Sequence, residues 1–211
     1  MCGRQPVRTV GTMTTALSAP RAPYYAIDSP IEIARWRPLV HWLLYIPHAL
    51  ILYGLRGLVC VVALLYWLVL VFTGRLDRNL FGMMAMYERY DARATGFLLG
   101  FSEISPPFDF RMGGADNDAY TPITLNLPEP AETGSRKLAF NVVLAIPHYV
   151  VLVFYAIGAI AAIVLAWFAV LFTGSWPRGL RNYLVNVNNY YYRVWLYASM
   201  VETQYPRFGL T

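Results

Sequence analysis

The sequence predicts an all-α integral membrane protein made of two tandem repeats, each a long proline-kinked transmembrane helix followed by an amphipathic helix. Three observations predict it. The 211 residues are 57% hydrophobic and only 14% charged, with mean hydropathy +0.42, whereas a soluble domain is about one quarter charged. Two apolar stretches, 40–72 and 138–172, each exceed the ~20 apolar residues needed to span a bilayer core. The stretches are copies of one another. Ile46-Pro47-His48 recurs as Ile146-Pro147-His148, Trp67 as Trp167, and Phe72-Thr73-Gly74 as Phe172-Thr173-Gly174. The spacing of one hundred positions continues through Arg78/Arg178, Tyr90/Tyr190, Arg93/Arg193 and Pro106/Pro206 to Phe108/Phe208. Register held this long without a gap marks a duplication.

Residues 1–23 are rich in Ser, Thr, Gly, Pro and Arg without an apolar segment, so they read as a disordered tail and not a signal peptide. Met13 begins a sequence that would serve equally well as a start. The first repeat then covers 24–108, a polar acidic linker 109–135, and the second repeat 136–211. Both repeats open on short segments, 24–33 and 120–130, whose partial alternation suits extended strands that pair at the membrane surface.

Cations lead into each apolar stretch (Arg35-Trp36-Arg37, with its aromatic, and Arg136-Lys137), as an interface anchor requires. Pro47 and Pro147 each remove one helical hydrogen bond, which predicts an elbow followed by a span from His48 or His148. Gly74 and Gly174 are the expected C-terminal stops. Residues 80–100 and 180–200 carry apolar side chains at three- and four-residue intervals and read as amphipathic helices.

Two matching copies should meet matching environments, so each unit is expected to leave the N-terminus, linker and C-terminus on one side. A four-helix bundle, in which each amphipathic helix crosses back, satisfies this. So does a tight apolar hairpin with the amphipathic helix flat on the surface, which spares Glu88, Arg89, Asp91 and Arg93 a midplane cost of roughly 2.5–3.5 kcal/mol each. A turn in lipid would strand backbone groups, and 155–162 has no turn chemistry. The bundle is therefore the expectation.

Arg93 and Arg193, with Tyr90 and Tyr190 one turn earlier, are the candidates for an anionic ligand or lipid headgroup, because a guanidinium forks onto phosphate. Snorkelling to the interface or an interhelical ion pair explains the arginines as well. His48 and His148 are the duplicated residues with ligand chemistry. Haem ligation is one reading, but an imidazole at the interface or capping backbone near the proline is simpler, so no metal and no cofactor is expected. The two cysteines, Cys2 and Cys60, make neither a disulfide framework nor a metal set. The sixteen tyrosines and six tryptophans suit interfacial belts. Net charge is +5, but the basic residues flank apolar spans and line no single face, so nucleic acid is excluded as a partner. No Walker loop, GxSxG, HExxH or dinucleotide fingerprint is present, and the chain is read as no enzyme.

Arg35-Trp36-Arg37-Pro38-Leu39-Val40, Ile46-Pro47-His48, Phe72-Thr73-Gly74-Arg75, Pro177-Arg178-Gly179-Leu180 and Tyr205-Pro206-Arg207-Phe208 together resemble the bacterial membrane-protein family catalogued as domain of unknown function 4389. The resemblance runs from Tyr24 to the C-terminus. It departs at Ser135-Arg136-Lys137-Leu138, where Arg-Pro is usual, and at Arg75-Leu76-Asp77-Arg78, where Tyr-Pro-Arg is usual. It implies a bacterial inner-membrane, multi-pass setting and no established activity. With basic flanks placing the termini and linker on the cytoplasmic side, the expected role is an accessory or scaffold subunit that contacts lipid and other membrane subunits. The alternative is a small transporter or lipid-handling protein with its site between the repeats.

Overall fold

The computed structural model describes residues 23–113, 115–116 and 120–210. The expectations for residues 1–22, the start at Met13 included, lie outside the described residues.

The chain is mostly helical. Strand β1 (Tyr25–Ile27) leads into α1 (Arg37–Thr73), which is followed by α2 (Arg78–Leu98). Strand β2 (Ile123–Leu125) opens the second half. A 3-10 turn (Arg136–Phe140), α3 (Asn141–Leu144), α4 (Ile146–Thr173) and α5 (Arg178–Ala198) complete it. The two prolines act differently. Pro147 sits in the first turn of α4, where its missing N–H costs nothing, and the helix breaks before it at Ala145. Pro47 lies inside α1, which continues through it. The expected elbow is thus a break in the second repeat only. Nor does α1 turn back on itself as the alternative apolar hairpin would require: it is helical throughout, Arg56 and Gly57 included.

Gly74 and Gly174 close α1 and α4 in the left-handed conformation, φ 71° and 73°, with their N–H groups donating to Leu70 O and Val170 O. A residue with a Cβ is strained there, which is why glycine stands at both turns. Past Gly74, Asp77 caps α2 by accepting from the N–H of Asn79 and Leu80 at 2.8 and 2.9 Å.

Each repeat is an antiparallel helical hairpin. His41 stacks on Phe97 at one end of the first and Tyr66 meets Phe81 at the other. The repeats are then joined by exchanged arms. The segment before α1 lies across the α4–α5 turn: Ile33 N–H donates to Gly174 O, and Trp176 N–H to Ile31 O. The segment before the second repeat lies across the α1–α2 turn in the same way, Gly134 N–H to Gly74 O and Leu76 N–H to Glu132 O. Between the arms, β1 and β2 pair antiparallel as expected, with Ala26 opposite Thr124. The indoles repeat the exchange. Trp67 Nε1 donates to Ala139 O at 3.1 Å, and Trp167 Nε1 to Pro38 O at 3.2 Å. The start of each long helix therefore sits at the end of the other, and α1 runs antiparallel to α4. This is pseudo-twofold symmetry.

Burial sorts the elements into layers. From Leu80 to the end of α2 no residue is exposed, because α1 packs on one side and the β pair and linker on another. The core runs from Tyr66 and Leu70 of α1 through Phe81 and Met84 of α2 to Ala162, Ala166 and Val170 of α4. Helices α1 and α4 instead leave a long apolar face uncovered, including Leu50, Tyr53, Val61 and Leu64 of α1 and Val153, Phe154, Ile157 and Ile160 of α4.

Candidate functional site

The duplicated histidines are held alike. Each follows the proline near the start of its long helix and faces the amphipathic helix of the same repeat. His48 Nδ1 lies 2.8 Å from Tyr90 Oη, and His148 Nδ1 lies 2.7 Å from Tyr190 Oη. Phe108 stacks on the first imidazole with centroids 4.9 Å apart, and Phe208 on the second at 4.1 Å. Both rings are buried. The repeated Pro-His, Tyr and Pro-x-Phe positions thus build one object twice, a lock tying the chain that leaves each hairpin back onto its long helix. The other nitrogen differs between copies: His48 Nε2 reaches Ser105 Oγ at 3.3 Å, where the second repeat has Tyr205 against the His148 ring. Among the described residues no contact joins the two histidines.

The arginine candidates part company. Arg93 is 1% exposed and is paired with Asp116 and, at 3.5 Å, with Asp109. Asp116 also accepts the Leu125 N–H at 2.9 Å, so this ion pair pins the linker and β2 to α2. One turn earlier Arg89 donates to the carbonyls of Arg111 and Gly113. Arg193 instead lies over the Tyr190 ring, 5.6 Å from its centroid, and is half-buried. Arg93 with Tyr90, and Arg193 with Tyr190, each belong to their own repeat, and the two tyrosine hydroxyls face the histidines. On the second repeat's polar face Asn189 has a different task. Its amide accepts the Tyr25 N–H at 3.0 Å and donates to Tyr25 O at 2.8 Å, holding β1 on α5. Burial pushes the Tyr25 hydroxyl well above the usual phenol range, so it stays protonated.

Several hollows lie between the repeats. A cleft of about 880 Å³ opens beside Ser29, Glu32, Arg35, Glu103 and Ser175. A smaller apolar one, about 260 Å³, is lined by His41, Trp42, Leu98, Ala166, Trp167 and Trp176. Neither of these includes Arg93 or Arg193; a smaller one, about 170 Å³, brings Arg193 and Tyr205 together with Tyr24 of the first repeat. Phe108, Phe208, Asp109 and Asp116 were not among the candidate site residues read from the sequence. Phe108 and Phe208 had a signal, their shared place in the hundred-residue register; the aspartates, in an unduplicated linker, had none. Among the described residues no group of three or more His, Cys, Asp or Glu could hold a metal ion.

Fold and contacts define a duplicated, arm-exchanged helical-hairpin protein with two helices long and apolar enough to cross a membrane. Its particular family is shown by sequence comparison. The chain belongs to the family described as Domain of unknown function (DUF4389), which matches residues 35–109 and again 135–209. No curated protein and no solved structure matches the chain.

Proposed function

We propose that the chain is a non-enzymatic accessory or scaffold subunit of a membrane complex. One observation carries this reading: the duplicated polar side chains His48, His148, Tyr90 and Tyr190, with Arg93, are buried and bonded within the protein, while an apolar face runs the length of α1 and α4. The histidines hold tyrosines, Arg93 holds the linker, and Glu88 receives the Tyr191 hydroxyl at 3.4 Å. Such a molecule is built to occupy lipid and to present surface. Its basic flanks favour the cytoplasmic side for the termini and linker, and a bacterial inner membrane is the setting. Native mass spectrometry of the full chain released in mild detergent, with crosslinking in intact membranes, tests it. A stoichiometric membrane-protein partner is expected in both. A monomer without partners in both would overturn the reading.

The second reading, a lipid-handling protein, is favoured by the 260 Å³ apolar hollow between the repeats in place of the arginines. Ala166 lines it, so Ala166→Phe would fill it. Loss of copurifying lipid in that variant, with the fold retained, would favour this reading over the first.

A further inference from the structure

We propose that the exposed face of α1 and α4 sits in one leaflet of an anionic bilayer, with both long helices running along the membrane plane and not across it. The inference rests on the membrane reading above and decides how the molecule lies in lipid.

The linker and strands supply the first ground. They pack against the middle of α2 and α5, not against their ends. Arg89 and Arg93, near the centre of α2, hold Arg111, Gly113, Asp109 and Asp116, while Asn189, central in α5, holds β1. Above these contacts Arg111 and Asn126 are exposed. Were α2 and α5 to cross a bilayer, this polar ribbon would stand at the hydrocarbon midplane with nothing to solvate it. Laid flat, the same ribbon faces water.

The second ground is charge. One end of the molecule gathers the start of α1 with the α4–α5 turn, and so carries Arg35, Arg37 and Arg178. The other gathers the α1–α2 turn with the start of the second repeat, and so carries Arg75, Arg78, Arg136 and Lys137. Acidic residues, Glu32 and Glu103 at one end and Asp77 and Glu132 at the other, offset part of this charge, but a crossing molecule would still place Lys and Arg clusters on both sides of the membrane, against the one-sided bias of cytoplasmic segments. In the plane, the exposed cations at both ends, Arg35 and Arg178 with Arg75, Arg136 and Lys137, meet the headgroups of one anionic leaflet, while Arg37 and Arg78 pair with Glu103 and Glu132.

The third is symmetry. The twofold passes between β1 and β2, then between α2 and α5, then between α1 and α4, so the apolar face lies at one end of the axis and the polar ribbon at the other. Standing along the membrane normal, that axis lets the two equivalent repeats meet lipid alike, although their long helices are antiparallel. A layer one helix thick, about 10 Å, fits inside the ~15 Å hydrocarbon depth of a single leaflet.

The test uses the full chain in sealed right-side-out membrane vesicles, with Cys2 and Cys60 replaced by serine and one cysteine introduced: Glu32→Cys at one end or Ser135→Cys at the other. Both positions are exposed. A membrane-impermeant maleimide is applied before and after the vesicles are opened. Both sites are expected to depend on opening in the same way; opposite dependence overturns the proposal. Nitroxide labels at Leu43, Tyr53 and Val61 give an independent readout. Depths confined to one leaflet are expected, and a run of depths through the midplane into the far leaflet overturns it. Carbonate extraction keeps the two readings distinguishable. A chain that stays in the membrane yet labels from opposite sides sinks the in-plane arrangement alone, whereas one released as a soluble dimer, its apolar faces covering each other, sinks the membrane reading with it.

Discussion

The buried arginine and the buried histidines set different stakes for single substitutions. Arg93 is 1% exposed and Asp116 equally so. Removing one partner of a fully buried ion pair leaves a charge uncompensated, a loss of about 3–5 kcal/mol, tempered here by Asp109 on the other side of the guanidinium. Asp116→Ala is therefore expected to cost about 3 kcal/mol, since it also frees the Leu125 N–H, and thermal unfolding in detergent reads it. Tyr90→Phe and Tyr190→Phe each delete a single hydrogen bond to a buried imidazole and are expected to cost about 1–2 kcal/mol apiece. Equal loss in all three variants would contradict this ranking. The duplicated residues Pro47, His48 and Tyr90, with their counterparts, stand out in the sequence because repetition marks them. Asp116 does not, because it lies in the linker that occurs once and its partner is 23 residues away.

Helix ends and helix interiors differ in how far local chemistry governs them. Gly74 and Gly174 are legible because a left-handed stop after an apolar run demands glycine. Gly74→Ala and Gly174→Ala are each expected to lose about 1 kcal/mol, measured as a lower unfolding midpoint, with the greater loss at Gly174. There the added Cβ would also meet the Arg35 side chain at 3.2 Å, whereas at Gly74 the nearest atom is 3.8 Å away. The path of the chain at the prolines was less legible. One tripeptide, Ile-Pro-His, stands inside a continuous helix in α1 and at a helix start before α4. The difference lies upstream. Ser135 caps a 3-10 turn by accepting the Lys137 N–H, which displaces the register of the second helix, whereas Pro38 starts α1 directly as an α-helix. Strand pairing was visible as alternation, but the exchange of arms was not, because backbone bonds such as Ile33 to Gly174 leave no mark on side-chain pattern.

At the scale of the molecule, the exchange means that neither repeat is complete alone. The α1–α2 turn takes its backbone partners from residues 132–134, and the α4–α5 turn takes them from residues 31–33. The indole of each long helix bonds the start of the other. A cut between Asp116 and Tyr120 falls between α2 and β2 and separates the hairpins. Each half then carries its own arm but has lost the arm that covers its own turn. It exposes backbone N–H and C=O groups that were bonded, together with core residues such as Leu70, Leu76 and Val170. Residues 1–116 and 117–211 expressed separately are expected to fail as monomers, each either aggregating or pairing with a second copy of itself to restore the exchange. Coexpressed, they should form a one-to-one complex with the helix content of the intact chain. Size-exclusion chromatography with light scattering in detergent, with circular dichroism on the same fractions, reads both outcomes. A monomeric half with full helix content would show that each hairpin folds on its own and that the arms merely decorate it. It would also remove the reason for the two repeats to share one twofold axis.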